Sequence, residues 1–441
     1  MKAEDICQLI LSTCKSLGAH DVVVSVTQSE SSMIRFSNNE ITINKELRES
    51  TVNLYVNEHG RRASTSTANL SKRSLESMAK KTVETARKSP IQSIYAPLPK
   101  GPFKYDYKLL NCPLINSDPK MLVSMVHQAI ESAIKEGAER VAGALVLENN
   151  KLTLHTSADA FGMMRKSGLE VSLRAFCGGS SGHSVSVSGN EKNFEPIKAG
   201  EEAGRLAKLS VSPSTMEPGL YDVVFGPLTF ASFINQLGRS ASAFMVEAGL
   251  SFLSEKLGNR IGPEELNVYD DPTLQGTYGA AAFDAEGLPC RKNVIIERGV
   301  LKTYLHNSTT AAKVGVESTA NAGLISPRAF NLVVEEGKHS TQELIKSVDK
   351  GIFVSNNWYL RYQNYTTGDF STIPRDAMFL IENGEFSKPI RELRISDNMN
   401  RIFKSILGLS KERKWVHWWE VETPTLSPSA LIGGVRFTKS R

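Results

Sequence analysis

Hydrophobic positions at Ile6, Ile10, Cys14 and Leu17 recur at helical spacing, and Gly18 follows as a stop. The period then changes to two. Val22 to Val26 reads as a strand, Met33 to Phe36 and Ile41 to Ile43 as two more around Asn38-Asn39, and Val52 to Val56 as a fourth. Asn57 to Gly60 is a turn, and Arg62 to Thr67 returns as a fifth strand. A helix from about Ser71 carries Leu75, Met78, Ala79, Val83 and Ala86 on one face and ends at Ser89-Pro90. A second begins at Asp118-Pro119, a capping residue with proline at the first helical position, and stops at Gly137.

Strands return at Ala142 to Leu147, Leu152 to Thr156, Glu170 to Phe176 and Val185 to Val187, and Ile197 to Leu209 is helical. The second half opens with a strand at Tyr221 to Phe225. Helices follow at Thr229 to Leu237, Ala243 to Leu257, Thr341 to Val348 and Met399 to Leu407. Asn293 to Asn307 and Met378 to Phe386 read as hairpins, the latter with Asn383-Gly384 at its tip, a strong turn signal. In Lys411 to Trp419, alternation predicts a strand whose Trp415, His417 and Trp419 face one way and pack; stacking on single-stranded nucleic acid is the rival use of such a run.

The elements add up to an α+β protein: an N-terminal α+β region with an antiparallel sheet and helices, and a strand-rich C-terminal region. Ser210 to Gly219, with Pro213 and Pro218, separates them, so the expected units are 1–212 and 213–441. A proline-punctuated connector at 90–117 divides the first unit further. A chain of 441 residues is long for one core, in keeping with this division.

Composition narrows the class. At 40% hydrophobic and 22% charged residues the chain is neither disordered nor fibrous. It holds no apolar run long enough for a membrane helix, and its start does not read as a signal peptide. Five scattered cysteines form no disulfide framework, so a reducing cytoplasm is expected. The net charge of +5 permits contact with nucleic acid without arguing for it.

The common catalytic signatures are missing. No two of the eight histidines lie a helical turn apart, so no helix presents a zinc-binding pair. There is no Walker loop, no GxGxxG after a strand and no GxSxG elbow. Cys177 to Gly182 is glycine-rich but precedes no helix, and reads as a turn between strands. Cys290 stands beside Arg291 and Lys292, which would favour a thiolate, yet a lone loop cysteine is more often a bystander.

From Asp270-Asp271-Pro272 onward the chain resembles the TldD/PmbA family. The resemblance rests on that triplet, on Phe283-Asp284-Ala285-Glu286-Gly287, and on the hairpin Ile296 to Leu301. Ile34 to Ile41, His155 to Gly162, Gly368 to Ser371 and Leu380 to Gly384 extend it over about 20 to 437. It implies an α+β N-terminal part and a curved or barrel-like C-terminal domain. The family's TldD branch carries His-Glu-x-x-x-His on a helix before the Asp-Asp motif and a late cysteine ligand. The matching helix here reads Phe233-Ile234-Asn235-Gln236-Leu237-Gly238, and the last cysteine is Cys290. The resemblance is therefore to the PmbA branch, also called TldE, and no catalytic or metal-binding residue carries over.

What it implies is a non-catalytic partner of a TldD-type zinc metalloprotease, acting on small or unfolded peptides, with zinc in that partner and none in this chain. A heterodimer with a TldD-like protein or a homodimer is expected; the alternative is a DNA- or gyrase-associated regulator. Ser318 to Gly323 looks like the family's Ser/Thr-x-Asn segment near the cleft. Thr319, Asn321, Arg361 and Asp369 are the expected peptide- or partner-contact residues, taken to lie at the surface.

Overall fold

A computed structural model describes residues 1–92 and 94–439. Strands β1 (Asp21–Ser37), β2 (Glu40–Glu58), β3 (Arg61–Thr67), β4 (Arg140–Thr156), β5 (Phe161–Cys177) and β6 (Ser180–Ser188) form one antiparallel sheet in the order β3-β2-β1-β4-β5-β6. The strands are longer than their apolar stretches indicate. Met33 to Phe36 and Val22 to Val26 belong to one continuous strand, and the strands expected separately at Ala142 to Leu147 and Leu152 to Thr156 are both parts of β4. Paired neighbours carry the ladder across polar positions such as Gln28 and Asn149, where side-chain pattern alone predicts a break.

Even-numbered residues of β1 point to a single face. Val22, Val24 and Val26 pack under helices Ala3–Ser16 and Lys72–Lys88, while Ile34 and Phe36 pack under helices Pro119–Lys135 and Pro196–Leu209. The second pair of helices touches almost backbone to backbone. A methyl added at Gly204 would lie 2.3 Å from the carbonyl oxygen of Ala133, and one at Gly200 would lie 2.2 Å from that of Ala129.

The second sheet has twelve strands. Its longest, Val421–Lys439, pairs with Gly219–Phe225, Leu393–Asn398, Ile406–Trp418 and Leu332–Val334. Gly219–Phe225 continues to Lys350–Asn364, that strand to Asp369–Glu382, and that one to Leu393–Asn398, which returns to Val421–Lys439. The ring closes, which gives the barrel-like form expected of the second half. Val223, Phe225, Ile352, Phe370, Ile395 and Phe437 belong to its core, and helix Pro227–Ser240 adds Phe230, Phe233 and Leu237.

Two local expectations are corrected and a third holds. The helix expected over Ala243 to Leu257 stops at Glu247, where Gly249 takes a φ of +69° and turns the chain away. The strand Ile406–Trp418 buries Val416 and Trp418, so Trp415 and His417 are only part-buried and Trp419, just beyond it, is 47% exposed. The inward face is thus opposite to the one expected, with Val416 and Trp418 packed beside Val185, Val187 and Leu228. At Asn383-Gly384 the expected hairpin tip is present, both residues having positive φ.

The crossing at Gly204 decides the sign of a substitution. In an exposed helix, glycine to alanine gains roughly 0.5–1 kcal/mol. Here the methyl meets backbone, and overpacking costs about 1–3 kcal/mol. Gly204→Ala is therefore expected to lower stability by about 1–2 kcal/mol in urea unfolding; a gain would show that the helices can move apart freely.

Candidate functional site

Helix Pro227–Ser240 packs against the strands of the barrel and buries its apolar face in their core. Gly226 and Pro227 start it, and its buried face is anchored by Thr229 to the carbonyl of Val354 and by Ser232 to the Asn357 amide oxygen. At Gly238 the helix lies against Leu332 so closely that a Cβ would be 2.5 Å from the leucine methyl. Its other side faces a cleft of about 560 Å³ lined by Asn235, Arg239, Lys166, Tyr278, Arg328, Phe330, His417 and Glu422. A second recess of about 370 Å³ shares Asn235, Arg239 and Glu422 and extends to Arg361, Tyr365 and Trp419.

The first sheet supplies one wall. Along β5, Gly162 lies against Phe283 and Gly168 against Tyr278, with Cβ positions 2.5 and 2.4 Å from those rings. Side chains at these two positions would hold the sheet off the loop. Lys166 comes from the same face of β5 between them. Burial pushes its ammonium below the usual lysine range, Arg328 adds to the effect, and Glu148 partly offsets it. Among the described residues, Lys166, Arg239 and Arg328 make no ion pair with a carboxylate. Asn235 is committed elsewhere: its amide donates to the carbonyl of Thr423 at 2.8 Å and to Thr425 at 3.4 Å. His417 is held by Glu170 at 2.5 Å and stacks on Tyr278 with ring centres 4.5 Å apart.

The donor set does not fit a metal. The helix turns amide and guanidinium groups toward the cleft, and among the described residues no group of three or more His, Cys, Asp or Glu is placed to hold an ion.

The expected contact residues are dispersed. Asn321 is fully buried: its amide donates to Asp270 Oδ2 at 2.6 Å and to the carbonyl of Arg328 at 2.9 Å, while its oxygen accepts from Asn293 at 3.1 Å. Thr319 is buried beside it, its hydroxyl accepting from the His306 N–H at 2.7 Å. The expectation of an exposed stretch at 318–323 is thus corrected, because Asp270 draws Asn321 inward. Asp270 also accepts the N–H groups of Phe330 and Asn331 at 2.8 Å, and burial still pushes its carboxyl up to about 6. Arg361 is exposed in the second recess, 3.6 Å from Glu420. Asp369 stands apart at a hairpin end, where Asn398 and Thr367 hold its carboxyl below the usual range.

Sequence reading missed a polar cluster between the sheets. His183 Nε2 lies 2.9 Å from Ser172 Oγ, and its Nδ1 lies 2.8 Å from Asn356 Nδ2. The spacing is that of a nucleophile and its base. The hydrogen bonds exclude that role. Asn356 Oδ1 accepts from the Asn357 N–H, so its amino group donates to His183 Nδ1 and to Asp376. Nε2 must then carry the proton and donate it to Ser172, which leaves no base for the hydroxyl. Burial pushes His183 down to about 4; Asp376 and Glu202 oppose this, while Arg174 and Lys414 add to it.

Two outcomes follow from these networks. Asn321→Ala strips a donor from buried Asp270 and an acceptor from Asn293, and is expected to cost about 3 kcal/mol in denaturant unfolding. A cost within about 0.5 kcal/mol would return the residue to the surface role. For His183 the unfolded chain takes up a proton near pH 6.5 and the folded one near 4, so stability falls as pH drops through that window. The full loss is about 3 kcal/mol. His183→Gln is expected to flatten this part of the stability–pH curve, measured as the slope between pH 6.5 and 4.

Comparison with known proteins agrees with this architecture. Residues 218–439 match the family model of the PmbA/TldA metallopeptidase C-terminal domain, and residues 22–86 match domain 1 of the same family. Metalloprotease MJ0996 of Methanocaldococcus jannaschii is 32% identical over 226 residues, 49% of this chain and 48% of that protein. A metalloprotease PmbA homolog of Buchnera aphidicola is 32% identical over 222 residues, 50% of this chain and 48% of its own length. The chain spans about half the length of the curated relatives it matches. Two crystal structures share the fold end to end. TM0727 of Thermotoga maritima, described as a candidate modulator of a DNA gyrase, superposes with a TM-score of 0.84 at 23% identity, covering 99% of this chain and 100% of that one. TldE of Thermococcus kodakarensis does so with 0.83 at 20% identity, covering 99% of both. With a matching domain model at each end, the chain belongs to the TldD/PmbA family of metallopeptidases.

Proposed function

We propose that this chain is a non-catalytic, PmbA/TldE-like partner of a TldD-type zinc metalloprotease, active in the degradation or maturation of small or unfolded peptides. The observation that carries the reading is the cleft beside helix Pro227–Ser240, to which that helix contributes Asn235 and Arg239 and no histidine or glutamate. Zinc is expected in the TldD-type partner, and the two chains are expected to work as a cytoplasmic heterodimer. Lys166, Arg239 and Arg328, unpaired within the described residues, suit the carboxylates of an extended peptide. No helix of the described residues is long and apolar enough to cross a membrane.

The test compares hydrolysis of an unstructured acidic peptide by this chain, by a family member bearing His-Glu-x-x-x-His, and by the mixture. Turnover is expected from the mixture and not from this chain alone. Arg239→Glu is expected to raise KM of the mixture for the acidic peptide about tenfold with little change in kcat. Chelator-sensitive cleavage by this chain alone would overturn the reading. Salt-dependent DNA binding without any effect on the partner would replace it with the regulatory one.

A further inference from the structure

The chain has four tryptophans, and Trp358, Trp418 and Trp419 meet in one recess. It measures about 270 Å³ and lies where the first sheet faces the second, with Ala142, Arg174 and Phe176 of β4 and β5 on one side and the three indoles on the other. Ring centres are 5.4 Å apart for Trp358 and Trp418, 5.0 Å for Trp358 and Trp419, and 5.6 Å for Trp418 and Trp419, each pair edge to face. Tyr359 adds a fourth ring, 5.5 Å from Trp419. Its φ of +56° is uncommon for a large side chain, and Glu420 holds that bend by accepting the Tyr359 N–H at 2.7 Å. An apolar cavity of about 150 Å³ already admits a benzene ring, so the recess has room for one aromatic side chain.

Two donors in this lining have no acceptor. The indole N–H groups of Trp358 and Trp418 are shielded from solvent and unpartnered among the described residues, and Trp418 as a whole is only 3% exposed. Buried donors are rarely left so, because nothing replaces their lost hydration. The ligand that suits the recess therefore brings acceptors together with a flat apolar body. A cation is disfavoured, since the guanidinium groups of Arg174 and Arg375 already lie 4.3 and 5.4 Å from the Trp358 ring centre. A nucleic-acid strand is disfavoured too. Arg174 pairs with Asp376 and Arg361 with Glu420, which leaves Arg375, and Arg140 over Phe176, as the nearby cations without a carboxylate among the described residues. A phosphate backbone calls for a longer row of them. A peptide supplies both the ring and, in its carbonyl groups, the acceptors. It also has a route: Trp419 lines this recess and the one holding Arg361, which shares Asn235, Arg239 and Glu422 with the cleft.

We propose that this recess is an anchor for an aromatic residue of the peptide held in the cleft. A phenylalanine, tyrosine or tryptophan side chain enters between the indoles, and the peptide carbonyls beside it accept from the N–H groups of Trp358 and Trp418. The inference rests on the peptide-binding reading of the cleft and adds to it a preference for sequence.

Intrinsic fluorescence reads the recess directly in this chain alone, because three of its four tryptophans line it. The probe is a short acetylated and amidated peptide of glutamate, serine and glycine with one central phenylalanine, compared with the same peptide carrying alanine there. The phenylalanine peptide is expected to shift the emission in a saturable titration, and the alanine peptide to bind about tenfold more weakly. Ala142→Phe, which fills the recess from β4, is expected to weaken the phenylalanine peptide about tenfold and to leave the alanine peptide within about twofold. Circular dichroism melts report whether that variant folds. Trp419→Ala, which removes a half-exposed ring, is expected to produce the same selective loss and decides the matter if Ala142→Phe does not fold. Equal binding of the two peptides, or folded variants that bind the phenylalanine peptide as wild type does, would overturn the proposal. A salt-sensitive shift with oligothymidylate and none with the phenylalanine peptide would overturn it in favour of nucleic acid. Peptide hydrolysis by the mixture with a partner, without phenylalanine preference here, removes the anchor and leaves the proposed function standing. Phenylalanine binding here without hydrolysis by the mixture supports the anchor and removes that function.

Discussion

The carboxylate of Asp270 is the buried charge around which the cleft is built. Removing a carboxylate from water costs several kcal/mol unless hydrogen bonds replace the solvent. The Asn321 amide and the N–H groups of Phe330 and Asn331 do so here. Each of these donors also fixes a segment. Phe330 and Arg328 line the cleft, and Asn331 bonds to Thr277 and to the carbonyl of Asp271, just ahead of Tyr278. The position of the cleft wall therefore follows from satisfying one ion. Asp284 repeats the device nearby: its carboxylate accepts the N–H groups of Glu286, Leu288 and Ala322 and ties the 284–288 turn to the 318–323 stretch.

A second constraint is the close approach of the first sheet to that turn and its flank. Val23, Tyr55, Leu154 and Met164 pack on Ala281, Ala282 and Phe283, and the glycines of β5 allow the contact. Away from it, charged pairs bridge the sheets. Arg174 and Ser181 reach Asp376, Lys414 reaches Glu202, and His417 reaches Glu170. These groups are largely shielded from solvent, so deleting one partner leaves a buried charge, and the pairs define relative position more than they add stability. Lys166 enters the cleft because the same packing holds β5 against Phe283 and Tyr278, at the cleft wall.

The chemistry of the cleft lining has a plain physical content. A zinc site concentrates imidazole and carboxylate donors around a cation, and such a site repels fixed cations. The cleft here has Arg239, Lys166 and Arg328 around committed amides, which favours anions. The scaffold positions a groove, and a few side chains on one helix decide what the groove attracts.

Much of the architecture was legible without coordinates. Helix stops at Gly18 and Gly137, the proline start at Pro119, alternation in the N-terminal strands and the Asn383-Gly384 turn are dictated by backbone geometry over a few residues. That helix Pro227–Ser240 carries no histidine or glutamate was equally visible, since it depends on residue identity along one segment. Tertiary structure alone decided the rest. Strands ran through polar stretches because paired neighbours supplied the hydrogen bonds. Asn321 passed from an expected surface to the interior because Asp270, far away in sequence, needed its amide. The proton on His183 was assigned through Asn356, and the three cleft cations came together from β5, a helix and a loop. Local periodicity is written into a short segment, whereas burial, proton position and convergence of charge depend on which distant segments fill the remaining space.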